Sequence, residues 1–296
     1  SDLLAGTSTE LAWQTLTHAV ATATTTGDVV VIMPGRYVAD TSTYLSITTG
    51  GANGLPISFA ALTPGTVIID GDCESDIGLQ IDEVGLLDFY GLQFENFNEW
   101  AVKSSATSTA QSENVRFFGC VFTNNGRQTR APSSTTRYGA VYANENTKSW
   151  LFRDCVFTQN GPIPHTDFDD ETAANNLQFT TGVGVRLGGC LHEIKECFFF
   201  DHESGYPISV TGHWDHTTLS SGEYNVSIDD CYFGASTNTT PYSTTHGAIE
   251  VYDDSPSHGT YSAVEPTIEV ENCTAEETVQ GSGTNCLIGI YNDSAS

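Results

Sequence analysis

Hydrophobic and polar positions alternate with a period of two along most of the chain, in short runs broken by Gly, Asn, Asp or Pro. That is the pattern of strands with one buried face. One run recurs five times: NVRFFGCVFTNNG at 114–126, WLFRDCVFTQNG at 150–161, HEIKECFFFDHESG at 192–205, NVSIDDCYFGAST at 225–237 and PTIEVENCTAEET at 266–278. Its cysteines, Cys120, Cys155, Cys197, Cys231 and Cys273, lie 34 to 42 residues apart. A sixth copy, LLDFYGLQFENF at 86–97, has Leu92 in their place. A second run follows each first one: WAVKSS at 100–105, GAVYAN at 139–144, GVGVRLG at 182–188, PISVTGH at 207–213, GAIEVYD at 247–253 and LIGIYND at 287–293. The gap between the two runs varies widely. Stacked helices need matched lengths, whereas coils of short strands let an insertion leave at a corner. Self-similarity with a variable period therefore predicts a solenoid with loop insertions. The expected fold is all-β, a single-stranded right-handed parallel β-helix of about eight or nine coils. It forms one domain over 1–296, with an N-terminal cap at 1–27, coils at 28–292 and a tail at 293–296.

The alternation also predicts which side chains point inward. Val115 and Phe117, Val226 and Ile228, and Ile268 and Val270 face the core, and the chain then turns at two variable residues. The cysteine points back inside, and Phe122, Phe157, Phe199 or Phe233 fills the next inward site. Leu92 and the five cysteines should thus stack as a core ladder, with free cysteine acting as a small hydrophobe. Cys73, Cys190 and Cys286 are left over, and mostly reduced thiols are expected.

At the N-terminus, Thr7 and Glu10 suggest a capping box for a helix at about 8–24. Trp13, Leu16, Val20 and Ala23 give it one apolar stripe. Strands with a Pro-Gly turn follow at 27–38, and two more at 55–71. The succession of Trp13 and Leu16, then Gly27-Asp28, Pro34-Gly35 and Tyr37, resembles the cap and first coil of the pectate-lyase-like β-helix superfamily. The post-turn cysteines resemble the stacked Asn or Cys ladder of those proteins. The resemblance implies a fold that serves lyases, hydrolases, tailspikes and adhesins alike.

Charge narrows the partners. Acidic residues number 37 against 10 basic ones, for a net charge of −27. Such a surface excludes nucleic acid and anionic membranes as partners, and no apolar run is long enough to span a bilayer. The first residue is Ser1 rather than Met, which fits a removed leader or an excised domain. Abundant Ser and Thr, with glycosylation sequons at Asn225, Asn238 and Asn292 and a poorer one at Asn272, point to an extracellular or cell- or virion-surface protein.

Candidate chemistry lies on the outward face of the second run. Aligning the copies gives the row Lys103, Tyr142, Arg186, Thr211, Tyr252 and Tyr291, in which tyrosines could stack on sugar rings and cations bind hydroxyl or carboxylate groups. Neighbouring loops bring Trp214 and Asp215, flanked by His213 and His216, and then Asp253, Asp254 and His258. Asp167, Asp169 and Asp170 in the longest insertion, together with Asp253 and Asp254, are candidate calcium ligands that match no EF-hand spacing. Lys103, Arg186, Asp215 and Asp253 are the catalytic candidates. The resemblance implies a Lys base and an Arg acid on adjacent coils of alginate and chondroitin lyases. Here the Tyr142 coil separates Lys103 from Arg186.

Two functions are in play. The first is a structural or adhesive surface protein, with glycan binding, that self-associates through its N-terminal cap and its C-terminal coil at 287–292. Leu287, Ile288 and Ile290 would otherwise leave core and strand edges open. The alternative is a carbohydrate-active enzyme, a calcium-assisted polysaccharide lyase or a glycoside hydrolase.

Overall fold

The structure, a computed structural model, describes residues 6–8, 12–107, 112–127, 138–161, 182–201, 205–211, 226–234, 249–253, 268–275 and 288–292; for the strand residues 182, 205–206, 211, 250–253 and 288–292 it describes the backbone alone. The chain winds as a right-handed parallel β-helix. Among the described residues three sheets have eight strands each, and each strand pairs in parallel with its counterpart one coil on. The first sheet runs from Val29–Ile32 to Ile268–Glu271, the second from Gly35–Val38 to Thr274–Ala275 and the third from Thr43–Ile47 to Ile288–Asn292. The recurring cysteine phrase supplies the first and second sheets, and the run that follows it supplies the third.

The corner between the first and second sheets has constant length, because local chemistry repeats there. Gly91, Gly119, Asp154, Glu196, Asp230 and Asn272 all take left-handed backbone at that corner. Gly, Asn and Asp visit this region most readily, and Glu196 does so here as well. The next residue then points inward. Leu92, Cys120, Cys155, Cys197 and Cys231 are buried, and Cys273 is partly buried on the last rung. Each thiol has one proton and two carbonyl acceptors within reach, one two residues back and one in the preceding coil. For Cys197 these are Lys195 O at 3.2 Å and Phe152 O at 3.6 Å. Burial, helped by the neighbouring thiols, holds the Cys155 thiol above its ordinary pKa, whereas for Cys231 the contact with the Cys197 thiol leads and burial adds to it. The seven cysteines among the described residues are free thiols, and Cys286 lies outside those residues.

Aromatic stacks fill the core beside this ladder. Phe59, Phe89, Phe117 and Phe152 stack at 4.8 to 5.4 Å on the first sheet. Phe94, Phe122, Phe157, Phe199 and Phe233 stack at 4.7 to 5.4 Å on the second. A short Asn ladder, which the sequence reading missed, closes the second sheet. Buried Asn125 donates to Phe94 O at 3.1 Å and to Asn160 Oδ1 at 3.0 Å, and Asn160 donates to Phe122 O at 2.9 Å. Its signal was the repeated Asn-Gly ending of two phrases, TNNG and TQNG.

The cap differs from expectation. The α-helix α1 is Leu16–Thr22, and its N-cap is Thr15, whose hydroxyl accepts from His18 N at 3.3 Å. Thr7 is exposed well before the helix, and Glu10 lies outside the described residues. Trp13 precedes the helix and packs edge-on against His18 at 5.4 Å. Leu16 and Ala19 are the helix's buried face, as its 3.6-residue period requires, and Ala23 at its C-cap is buried too. Leu16, Ala19 and Val20 cover the N-terminal end of the core around an apolar cavity of about 20 Å³. No helix among the described residues is long and apolar enough to cross a membrane.

Candidate functional site

The third sheet carries the candidate row. Ile77 pairs with Trp100 and Leu79 with Val102, and the outward positions then run Ser46, Gln80, Lys103, Tyr142, Arg186 and Ser209 in register. Lys103, Tyr142 and Arg186 therefore occupy three successive rungs, as the alternation predicts. The other half of the expected row does not join them. Arg186 pairs with Ser209, while Thr211 pairs with Tyr252 and Tyr252 with Tyr291, two residues further along. A slip of two residues keeps every side chain on the same face, so an alternating pattern cannot detect it. Ser209, in the position expected for Thr211, is fully buried.

Trp100, which the sequence reading passed over, organises the middle of this face. Its ring stacks on Tyr142 at 5.2 Å with a 27° interplanar angle, and Tyr138 lies 6.4 Å away. From the following coil the Arg186 guanidinium lies over the same Tyr142 ring, 5.2 Å from its centroid. Trp100 and Arg186 come from coils on opposite sides of Tyr142. Both faces of the tyrosine ring are thus occupied. The ring offered by the sequence as a sugar platform is packed against Trp100 and Arg186. The stack holds the guanidinium plane in place, a cation–π contact worth about 0.5–2 kcal/mol. Arg186 and Tyr142 are partly exposed.

Lys103 is partly exposed and lies 3.9 Å from the carboxylate of Glu99. Burial raises the Glu99 carboxyl above its ordinary value; Lys103 opposes that rise and Asp76 adds to it. Further toward the N-terminus the same face carries a polar cluster. Asp82 accepts hydrogen bonds from Ser46 Oγ and Gln80 Nε2 at 2.6 Å each, and from Ser105. Burial pushes the Asp82 carboxyl up, but the three donors outweigh it and leave the pKa lowered.

The remaining candidates divide by position. Asp253 pairs with Asn292, and Tyr252 with Tyr291, on adjacent rungs at the C-terminal end of the sheet. Trp214, Asp215, Asp167, Asp169, Asp170, Asp254, Asn225 and Asn238 lie outside the described residues. Among the described residues no group of three or more His, Cys, Asp or Glu side chains is placed to hold a metal ion. Asn272 takes left-handed backbone at the cysteine corner, and its amide donates to Asp229 Oδ1 at 3.0 Å.

No protein-family model matches the chain, and no curated protein matches it. Solved structures do. A polysaccharide lyase of family PL6 from Pseudopedobacter saltans superposes with a TM-score of 0.55 at 12% identity, over 88% of this chain and 51% of that one. An alginate lyase from Paenibacillus sp. gives 0.56 at 11% identity, over 80% and 71% of the two chains. A pectate lyase gives 0.54 at 13% identity, over 97% and 76%. The chain thus spans about half the length of the PL6 enzyme. At these identities the likeness establishes the fold alone, the parallel β-helix.

Proposed function

We propose that this protein acts on a polysaccharide that lies along the outer face of the third sheet, across Lys103, Tyr142 and Arg186. One observation carries the reading: these three polar side chains occupy successive rungs, and an aromatic stack fixes the orientation of the guanidinium. A planar guanidinium is suited to two-point binding of a carboxylate or of paired hydroxyls. The three solved structures compared above are polysaccharide lyases, which favours carbohydrate chemistry over a purely structural role. Within that reading, Lys103 and Arg186 stand about 10 Å apart by strand spacing. Proton transfer therefore falls to the neighbours Lys103 and Tyr142, with Arg186 holding a uronate carboxylate. Both Lys and Tyr are competent acid–base groups. An extracellular or surface setting suits such a substrate.

The test is incubation with alginate, pectate and chondroitin, with and without calcium. Unsaturated products are followed by ultraviolet absorbance and binding is followed separately. Product formation lost in Tyr142→Phe and Lys103→Ala, with binding lost in Arg186→Ala, supports the assignment. Binding without product would leave a glycan-binding adhesin, and neither binding nor product with any of these polymers would end the reading. The net charge of −27 opposes a polyanion. Affinity for polyuronates should therefore rise with salt, the reverse of a basic groove.

A further inference from the structure

A second surface on the same molecule has different chemistry. On the outward face of the second sheet, Val121, Val156, Phe198 and Tyr232 form one column across four successive coils. Thr123, Thr158 and Phe200 form the column beside it. Their inward neighbours Phe122, Phe157, Phe199 and Phe233 are the core stack, so strand alternation forces these residues outward. Phe198 is 50% exposed and Phe200 39%, and the Phe198 and Tyr232 rings lie 6.1 Å apart. None of these seven residues is charged, although the chain carries a net charge of −27. Nearer the N-terminus the same face is ionic, with Arg36 bridging Asp70 and Glu95. An uncharged, partly aromatic ribbon thus occupies a face that is ionic nearer the N-terminus.

We propose that this ribbon binds a neutral, extended β-linked polysaccharide chain. Three features favour that occupant. The ribbon is uncharged, so it discriminates against the uronates suited to Arg186. Its apolar area, on the order of 300 Å² for two half-exposed phenylalanines and their neighbours, is well short of the ~800 Å² per partner typical of a stable dimer. Its rungs recur about every 4.8 Å, close to the length of one sugar unit in an extended β-1,4 chain. Successive sugars would then meet equivalent positions. The aromatic faces take the apolar side of the ring, and the Thr123 and Thr158 hydroxyls are placed beside it for the sugar hydroxyls. The surface is separate from the Lys103–Arg186 face, and its inference stands whether or not that face is catalytic.

Native affinity electrophoresis in gels containing hydroxyethyl cellulose, soluble xyloglucan or polygalacturonate tests the proposal. The wild type should be retarded by at least one of the two neutral polymers. Phe198→Thr/Phe200→Thr, which extends the threonine column already present at 123 and 158, should weaken that retardation at least about fivefold. The same double variant should leave any retardation by polygalacturonate unchanged, since an uncharged ribbon is not the site of a polyuronate. Unfolding curves establish that the variant folds, and Phe200→Thr alone serves if the double variant does not. No retardation of the wild type by either neutral polymer would overturn the proposal. So would retardation equal in wild type and variant, or a wild-type dimer in sedimentation that the variant dissolves, since the ribbon would then bind a second copy.

Discussion

His192 should make this protein lose stability as the pH falls from 6.5 to about 4. The residue sits in a core column otherwise filled by Ile57, Leu87, Val115, Trp150 and Val226, and it is completely buried. Its Nδ1 accepts from Trp150 N at 3.2 Å, so the ring proton is on Nε2, which donates to Gly188 O at 2.6 Å. Thr147 Oγ1 is 3.5 Å from Nε2 and also donates to Gly188 O, and no charged group contributes to the ring's titration. A second ring proton would have to face the Trp150 N–H. Burial accordingly holds the pKa down to about 4, from an ordinary 6.5, while the bond to Gly188 O works weakly the other way.

The sign follows from linkage. Above pH 6.5 neither state binds the proton and stability is unaffected. As the pH falls, the unfolded chain takes up the proton first, and the folded state loses ground until about pH 4. At about 1.4 kcal/mol per pH unit, that interval is worth about 3 kcal/mol. The perturbation is His192→Leu, compared with His192→Asn, which retains an acceptor for Trp150 N–H. At pH 7 the Leu variant should be less stable by about 1–3 kcal/mol, because Trp150 N–H loses its acceptor in the core. Near pH 4 the wild type should have lost that advantage, so the two stability curves converge or cross. Urea unfolding followed by tryptophan fluorescence from pH 7 to pH 4 measures this, and subtracting the variant removes the background of the many carboxylates. A gap between wild type and variant that stays constant over the range would refute the neutral buried imidazole.

Other sites give further tests. Cys197→Ser should cost about 1 kcal/mol, at the low end for a buried polar group, because Lys195 O and Phe152 O are already in place to accept from the new hydroxyl; chemical denaturation at neutral pH measures it. Asn125→Leu should cost more, about 2–4 kcal/mol, since it takes the side-chain acceptor from Phe97 N–H and the side-chain donor from Phe94 O, and leaves Asn160 Oδ1 only the backbone N–H of residue 125; a Leu variant of wild-type stability would show that the ladder is dispensable. Removing Arg36 leaves Asp70 and Glu95, both nearly buried, side by side on adjacent rungs. Burial raises the Asp70 carboxyl, but Asn96, the Asp72 N–H and Arg36 together outweigh it and hold the pKa below the ordinary value. Arg36→Ala should therefore raise that pKa. The stability Asp70 contributes at neutral pH would then begin to be lost at a higher pH on acidification, as NMR titration paired with thermal unfolding would show. An unchanged Asp70 titration would mean Asn96 and the backbone suffice.

The sequence by itself determined everything that repeats within a coil. Alternation placed Val115, Phe117, Phe122 and the cysteine of each phrase on the inside. The two-residue corner is so tightly specified by its left-handed residue that coil after coil superposes without ambiguity. Those features are local, since burial of one strand face and the backbone freedom of one turn residue act within a few positions. What the tertiary structure decided is how one coil sits on the next where loops of unequal length intervene. A two-residue slip leaves the in–out pattern intact, so only pairing along the whole strand could put Ser209, rather than Thr211, beside Arg186. Helix propensity and a nominal capping box could not choose between Thr7 and Thr15 as the N-cap. That choice was made by where Leu16 and Ala19 meet the open end of the core. Trp100, Tyr142 and Arg186 are far apart in the chain, and His192 looks like one more polar residue in a variable phrase. Their stacking and burial exist only because successive coils bring them within van der Waals and hydrogen-bonding distance, and those contacts decide what Tyr142 can bind and when His192 can take a proton.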